Sequence, residues 1–144
     1  MFEFTIEGQP RPQERHRDIR TKTGKIVGKY DPSAKEKKEF LAKAMEFKPY
    51  KPVDYPITVI LEFFFKRPKK HFYTTKAQKG ELKPDSPFWR YSTPDIDNLI
   101  KFVTDALNTV FWVDDCLICE VIAVKHYTPK INPMPCTKIK VRTL

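Results

Sequence analysis

Hydrophobic and polar positions alternate from the first residues. Phe2, Phe4 and Ile6 face one way, Glu3, Thr5 and Glu7 the other, and Gly8 ends the run, which predicts a half-buried strand. Gln9 to Asp31 keeps no period. Pro32-Ser33 then opens a helix to about Phe47, with Phe40, Leu41, Ala44 and Met45 on one side and lysines on the other. Pro49, Pro52 and Pro56 close it. Ile57, Val59, Leu61, Phe63 and Phe65 share one face of the next segment and Ile60 and Phe64 the other, so a central strand covered on both faces is expected. Lys66 to Thr93 is again irregular. A second helix follows from about Pro94 or Asp95 to Val110, with Leu99, Phe102, Val103, Ala106, Leu107 and Val110 at helical spacing. Leu117 to Tyr127 and Thr137 to Arg142 read as the last two strands. The order β–α–β–α–β–β, without repeats, predicts one small α/β (α+β) domain over residues 1–144, a mixed sheet flanked by two main helices.

Composition narrows the classes. Apolar residues make up 40% of the 144 and aromatic residues 13%, enough to build a core and too much for a disordered chain. The longest apolar stretch, Ile57 to Phe65, contains Glu62 and is half the length of a membrane span. Glu3 and Glu7 stand where a signal peptide needs apolar residues, so no membrane association and a cytoplasmic location are expected. The four glycines are too scattered for a dinucleotide or phosphate-loop fingerprint, and no small-molecule cofactor is expected. Cys116-x-x-Cys119 falls on a predicted strand without a second close pair, and reads as small core residues rather than zinc ligands. His16, His71 and His126 show no ligand or triad spacing.

Charge points to the partner. Lys and Arg number 27 against 18 Asp and Glu, a net charge of +9 that suits a polyanion better than a small acid. The cations concentrate in the two irregular stretches. Arg11, Arg15 and Arg17 in the first, and Arg67, Lys69 and Lys70 in the second, are candidates for phosphate contact, with a solvated loop as the plain alternative. Phe72, Tyr73, Phe88, Trp89 and Tyr91 thread the second stretch. They suit either stacking on unpaired bases or a satellite core.

The run Thr93-Pro94-Asp95-Ile96-Asp97-Asn98-Leu99-Ile100-Lys101 and the later Asp114-Asp115 carry the candidate chemistry. Asp97 and Lys101 stand four residues apart and share a helix face, and Asp105 lies one step further along it. Phosphodiester cleavage needs water deprotonated, phosphate charge offset and a leaving oxygen stabilised. Mg²⁺ serves all three needs and takes hard oxygen ligands, so aspartates in a basic protein suit such a site. A lysine beside them can stabilise developing charge. Ordinary readings compete. Thr93 can cap the helix with Pro94 at its first position, Asp95 can complement the helix dipole, Asp97–Lys101 can be a surface ion pair, and Asp114-Asp115 can mark a turn.

This set, Asp95-Ile96-Asp97-Asn98-Leu99-Ile100-Lys101, Asp105-Ala106-Leu107 and Asp114-Asp115, resembles the RusA family of Holliday-junction resolvases. The family signature has the form D-[LI]-D-N-x-x-K, then D-A-L on the same helix, then a D-D pair opening a strand. Gly8-Gln9-Pro10-Arg11-Pro12, the Arg15/Arg17 cluster and Tyr30-Asp31-Pro32 are similar to its phage-type branch. The resemblance implies a homodimeric, Mg²⁺-dependent endodeoxyribonuclease, with Mn²⁺ able to substitute, that resolves four-way DNA junctions by paired symmetric nicks. It implies metal ligation by Asp95, Asp97 and Asp115 and catalytic assistance from Lys101. Asp114 is set apart, because adjacent side chains on an extended segment point opposite ways. Two departures bear on substrate preference: Lys66 to Thr93 is longer than the family's connection, and Gln13 stands where the branch often has a basic residue. The rival expectations are a broader nuclease for flaps and other branched DNA, and a non-catalytic DNA-binding module whose acidic cluster is structural.

Overall fold

The structure is a computed structural model describing all of residues 1–144. Its strands are β1 (Phe2–Glu7), β2 (Arg17–Arg20), β3 (Ile26–Tyr30), β4 (Ile57–Phe65), β5 (Ile118–Tyr127) and β6 (Cys136–Thr143), and its helices are α1 (Ala34–Ala44) and α2 (Ile96–Leu107). The fold is α+β, with a mixed sheet and two main helices. Contacts gather these elements into two compact units. One comprises Met1–Pro10, Pro56–Thr93 and Ile118–Leu144; the other comprises Arg11–Tyr55 and Pro94–Leu117.

The first unit holds a four-stranded sheet in the order β1-β6-β4-β5. β6 runs antiparallel to both neighbours, and β4 and β5 are parallel. Register aligns the apolar positions into rows: Phe4, Ile139 and Leu61 cross three strands, as do Phe2, Val141 and Val59. Every second residue of β4, from Ile57 to Phe65, is 0–1% exposed, the alternation expected of a strand with one face in a core. The other face departs from the expectation of full cover. Only Thr58 is buried there, while Ile60, Glu62 and Phe64 are half-buried. Their neighbours are polar: Thr58 donates to Glu120 at 2.8 Å, and Lys138 lies over the Phe64 ring at 4.9 Å.

The second unit holds α1, α2 and the antiparallel hairpin β2–β3. α1 and a 3₁₀ turn at Met45–Phe47 together fill the expected helical span. α2 buries Leu99, Phe102, Val103, Ala106 and Leu107 along one stripe, and Phe40 of α1 meets Phe102 edge-on at 5.7 Å. The hairpin lies within a stretch expected to be irregular. Its residues are nearly all exposed, so the sequence shows no apolar alternation there. A turn at Thr21–Lys25 closes it with Gly24 at φ +87°, a conformation other residues adopt only with strain.

The cysteines correct another expectation. Cys116 lies in a 3₁₀ turn at Asp115–Leu117 and Cys119 on β5, and both are exposed rather than core residues.

Candidate active site

The ordinary uses of the acidic residues can be tested against their bonds. The helix-capping position belongs to Asp95 rather than Thr93, two residues later than the Pro94-first reading places it. Asp95 starts the helix with its backbone carbonyl, which accepts from Leu99 N–H at 3.3 Å, but its carboxylate makes no cap bond. A capping aspartate normally gains about 1 kcal/mol from that bond. Here the carboxylate is exposed and uncommitted. Asp97, exposed in the first turn, is also unpaired, because Lys101 turns the other way and meets Asp105 Oδ2 at 3.5 Å. The ion-pair explanation therefore fails at Asp97, while both carboxylates still lie where the helix dipole favours negative charge.

Asp114 and Asp115 divide their tasks. They lie on a turn immediately before β5 rather than opening the strand. Asp114 is the turn residue: its Oδ1 accepts from Cys116 N–H at 2.8 Å, and this bond lowers its proton affinity. Asp115 is half-buried, and its Oδ1 accepts from the indole N–H of fully buried Trp112 at 2.7 Å. Burial raises the Asp115 pKa above the usual carboxylate value. The indole bond lowers it in part, the charges of Asp105 and Asp114 raise it, and Lys101 lowers it. Trp112 is held in turn by its neighbours: Val53 N–H donates to Phe111 O, and Val113 N–H to Val53 O, both at 2.9 Å.

A second network holds the basic segment against the start of α2. Gln13 is 7% exposed; its backbone N–H donates to Asn98 O at 2.8 Å and its side-chain amide to Asp31 Oδ1 at 2.7 Å. Asp31 also accepts from Ser33 N–H and pairs with Lys37, whose ammonium reaches Asp105 Oδ2 at 3.5 Å. Burial pushes the Asp31 pKa up, but the bonds from Lys37, Gln13 and Ser33 outweigh it and hold it at about 2. Gln13 thus has a positional role that sequence reading missed, and its place between Arg11 and Arg15 was the available signal. Arg11 and Arg15 are exposed with no acidic partner, and Arg17 makes a surface pair with Glu14 at 3.4 Å.

The other basic candidates belong to the sheet unit. Lys69 and Lys70 are exposed on a 3₁₀ turn at Lys69–His71. Arg67 is not a solvated loop residue. It is 9% exposed, with Nε on Thr128 O and Nη1 on Pro87 O, each at 2.8 Å. Of the aromatic residues, Phe88 stacks on His126 at 4.7 Å, whereas Tyr91 is 86% exposed.

The family model of endodeoxyribonuclease RusA matches residues 7–142. The chain belongs to the RusA family. A curated relative, the "Uncharacterized protein YqaN" of Bacillus subtilis (strain 168), is 28% identical over 140 residues, covering 92% of this chain and 94% of the relative. RusA-family membership makes the chain a nuclease at the family level, and the family acts on branched DNA junctions. The matched span includes Asp95, Asp97, Lys101 and Asp115.

The donors fit a hard divalent cation in kind. Asp95 and Asp97 have uncommitted oxygens, and Asp115 keeps Oδ2 free of hydrogen bonds. No three His, Cys, Asp or Glu side chains stand together as a complete metal-holding group. Mg²⁺ does not need one, since it commonly takes one or two carboxylates and fills its shell with water and substrate phosphate.

Proposed function

We propose that this RusA-family protein is a Mg²⁺-dependent endonuclease that resolves four-way DNA junctions by paired symmetric nicks, acting as a homodimer. The observation that carries the reading is the pair of unspent carboxylates, Asp95 and Asp97, at the start of a helix whose next lysine pairs elsewhere. Asp95 and Asp97 would hold the ion, and Asp115, which does not stand with them as a ready-made metal group, is the third ligand the family resemblance implies. When bound, Mg²⁺ supplies positive charge to the phosphate and acidifies water. In the hydrolysis, water oxygen bonds to phosphorus as one P–O ester bond breaks, and the departing oxygen takes a proton.

The chain's own groups serve the other requirements. Lys101, held by Asp105, offers positive charge that favours a transition state gathering negative charge. Trp112 fixes the Asp115 carboxylate so that its free oxygen keeps one orientation. The pinned Arg11–Arg17 segment supplies exposed cations beside the first turn of α2, where Gln13 meets Asn98, and these can hold the DNA backbone. Two nicks related by symmetry are most simply made by two copies of one site about a two-fold axis.

A strand-labelled four-way junction, with and without EDTA, tests the proposal. Symmetric paired nicks are expected in Mg²⁺ and none in EDTA. Asp97→Asn should bind the junction and fail to nick it, because removing a negative charge cannot weaken attraction to phosphate. Cleavage surviving in that variant would refute the assigned role. Equal cleavage of three-way and flap DNA would favour a broader branched-DNA nuclease, and a strict monomer making paired nicks would refute the dimer.

A further inference from the structure

The sheet unit carries a cleft that the carboxylate site does not use. It has a volume of about 500 Å³ and is walled by Lys66, Arg67, Lys69, Lys70 and Arg90, with Tyr127 and Ser92 beside them. No acidic residue lines it, and none of the five cations forms an ion pair. Arg67 makes this imbalance costly. Its guanidinium is buried and bonded to two carbonyls, with the His71 ring nitrogen at 3.4 Å and the Tyr127 ring 5.5 Å away. Burial and the positive charges of Arg67 and Lys70 lower the pKa of His71 and favour its neutral form, with Asp85 opposing them in part. A buried cation without an anion is normally avoided, and a ligand that brings the anion would relieve it. Arg90 is likewise fixed, bonded to Thr93 O and stacked over the Phe65 ring at 4.3 Å.

A second cavity of about 290 Å³ shares the Lys70, Ser92 and Tyr127 wall, and its lining includes Asp85, Lys83 and Tyr91. This half is different in kind. It offers hydrogen-bonding groups of both types and, in Tyr91 at 86% exposure, an aromatic face open to solvent. Phosphate chemistry on one side of a shared wall and base-like chemistry on the other describe one nucleotide.

From these paired cavities we infer that the sheet unit holds an unpaired DNA strand, with backbone phosphate in the five-cation cleft and a base against Tyr91. The inference deepens the proposed function, since it rests on the chain handling branched DNA, whose crossovers and ends expose unpaired nucleotides. Aromatic stacking tolerates any base, so the subsite recognises strandedness rather than sequence.

The test uses the full-length protein in EDTA and the fluorescence anisotropy of a labelled oligothymidylate and of a matched duplex across a salt series. Arg67 variants lose bonds to Thr128 and Pro87 and risk unfolding, so the exposed residues are changed. Lys69→Gln with Lys70→Gln should lower the slope of log affinity against log salt for the single strand by about 1.4, the value for two phosphate contacts. Tyr91→Ala should weaken single-strand binding about fivefold or more and leave duplex binding as it was. Unchanged slopes, an equal Tyr91→Ala effect on duplex, or displacement of the oligonucleotide by micromolar inorganic phosphate would each overturn the inference. The last would make the cleft a site for free phosphate. If the wild type nicks junctions in Mg²⁺ while both variants bind single strands normally, the subsite fails and the nuclease reading stands. If the variants behave as expected and the wild type cuts nothing, the nuclease reading fails and the strand subsite stands.

Discussion

Asp31 should make the stability of the protein depend on pH within a narrow acidic window, and Asp31→Asn should abolish that dependence. The carboxylate has an ordinary value of 3.8 and is held at about 2 in the fold by Lys37, Gln13 and Ser33. That difference is roughly a sixtyfold change in proton affinity, about 2 kcal/mol at 1.36 kcal/mol for each pH unit. The side chain is 18% exposed, so water reaches the network and screening trims the contribution to about 1–2 kcal/mol. The sign follows from the lowered pKa. The stabilisation is complete above the unfolded value near 4, about half of it is gone by pH 3, and it vanishes as the pH passes below about 2. Urea unfolding of the wild type and Asp31→Asn at pH 7, 5, 4 and 3 measures this directly. The wild type should lead by about 1–2 kcal/mol at pH 5–7, and the gap should halve by about pH 3. A gap that stays constant, or widens with acid, would refute the reasoning. Gln13 keeps its backbone bond to Asn98 O in the variant, so the Arg11–Arg17 segment should loosen rather than detach, and junction binding at neutral pH should weaken only slightly.

Other expectations can be checked alongside. Trp112→Phe leaves the half-buried Asp115 carboxylate without its donor and should destabilise the protein by about 1–3 kcal/mol in urea unfolding; an unchanged midpoint would show that the indole bond contributes nothing. Leu61→Ala removes a side chain with 0% exposure from the middle of the sheet and should cost about 2–5 kcal/mol by the same assay. Asp105→Asn removes the negative charge shared by Lys37 and Lys101 and should slow junction nicking while leaving junction affinity equal or tighter. A loss of affinity with the fold intact would contradict the positioning role.

What the sequence revealed follows what burial imprints on it. β4 was legible to the residue because one face is apolar throughout, and α2 was legible from its stripe even though its expected end ran three residues too far. The β2–β3 hairpin was not legible, since Arg17–Arg20 buries nothing and leaves no periodic trace; the Thr23-Gly24 turn was its only local mark. At the site, the motif located the acidic residues but not their commitments. The spacing allowed Lys101 to face either Asp97 or Asp105, one helical turn to each side, and gave no sign that Asp105 also receives Lys37 from more than sixty residues away. The burial of Arg67 was not legible for a similar reason: the carbonyls it bonds belong to Pro87 and Thr128, distant in the chain. The exposed cysteines show the reverse error: Cys116 lies on a turn and Cys119 on the open start of β5, where both meet solvent.

The position of β6 has a consequence for how the molecule is made. This strand comes last in the chain yet lies inside the sheet, between β1 and β4. Until Cys136–Thr143 leaves the ribosome, the first strand has no partner and β4 has only β5. Neither compact unit is one uninterrupted stretch, so neither is finished by synthesis of its own half. The sheet unit should therefore close only once β6 is available, whereas every residue of the unit that carries the aspartates precedes β5 and can assemble earlier.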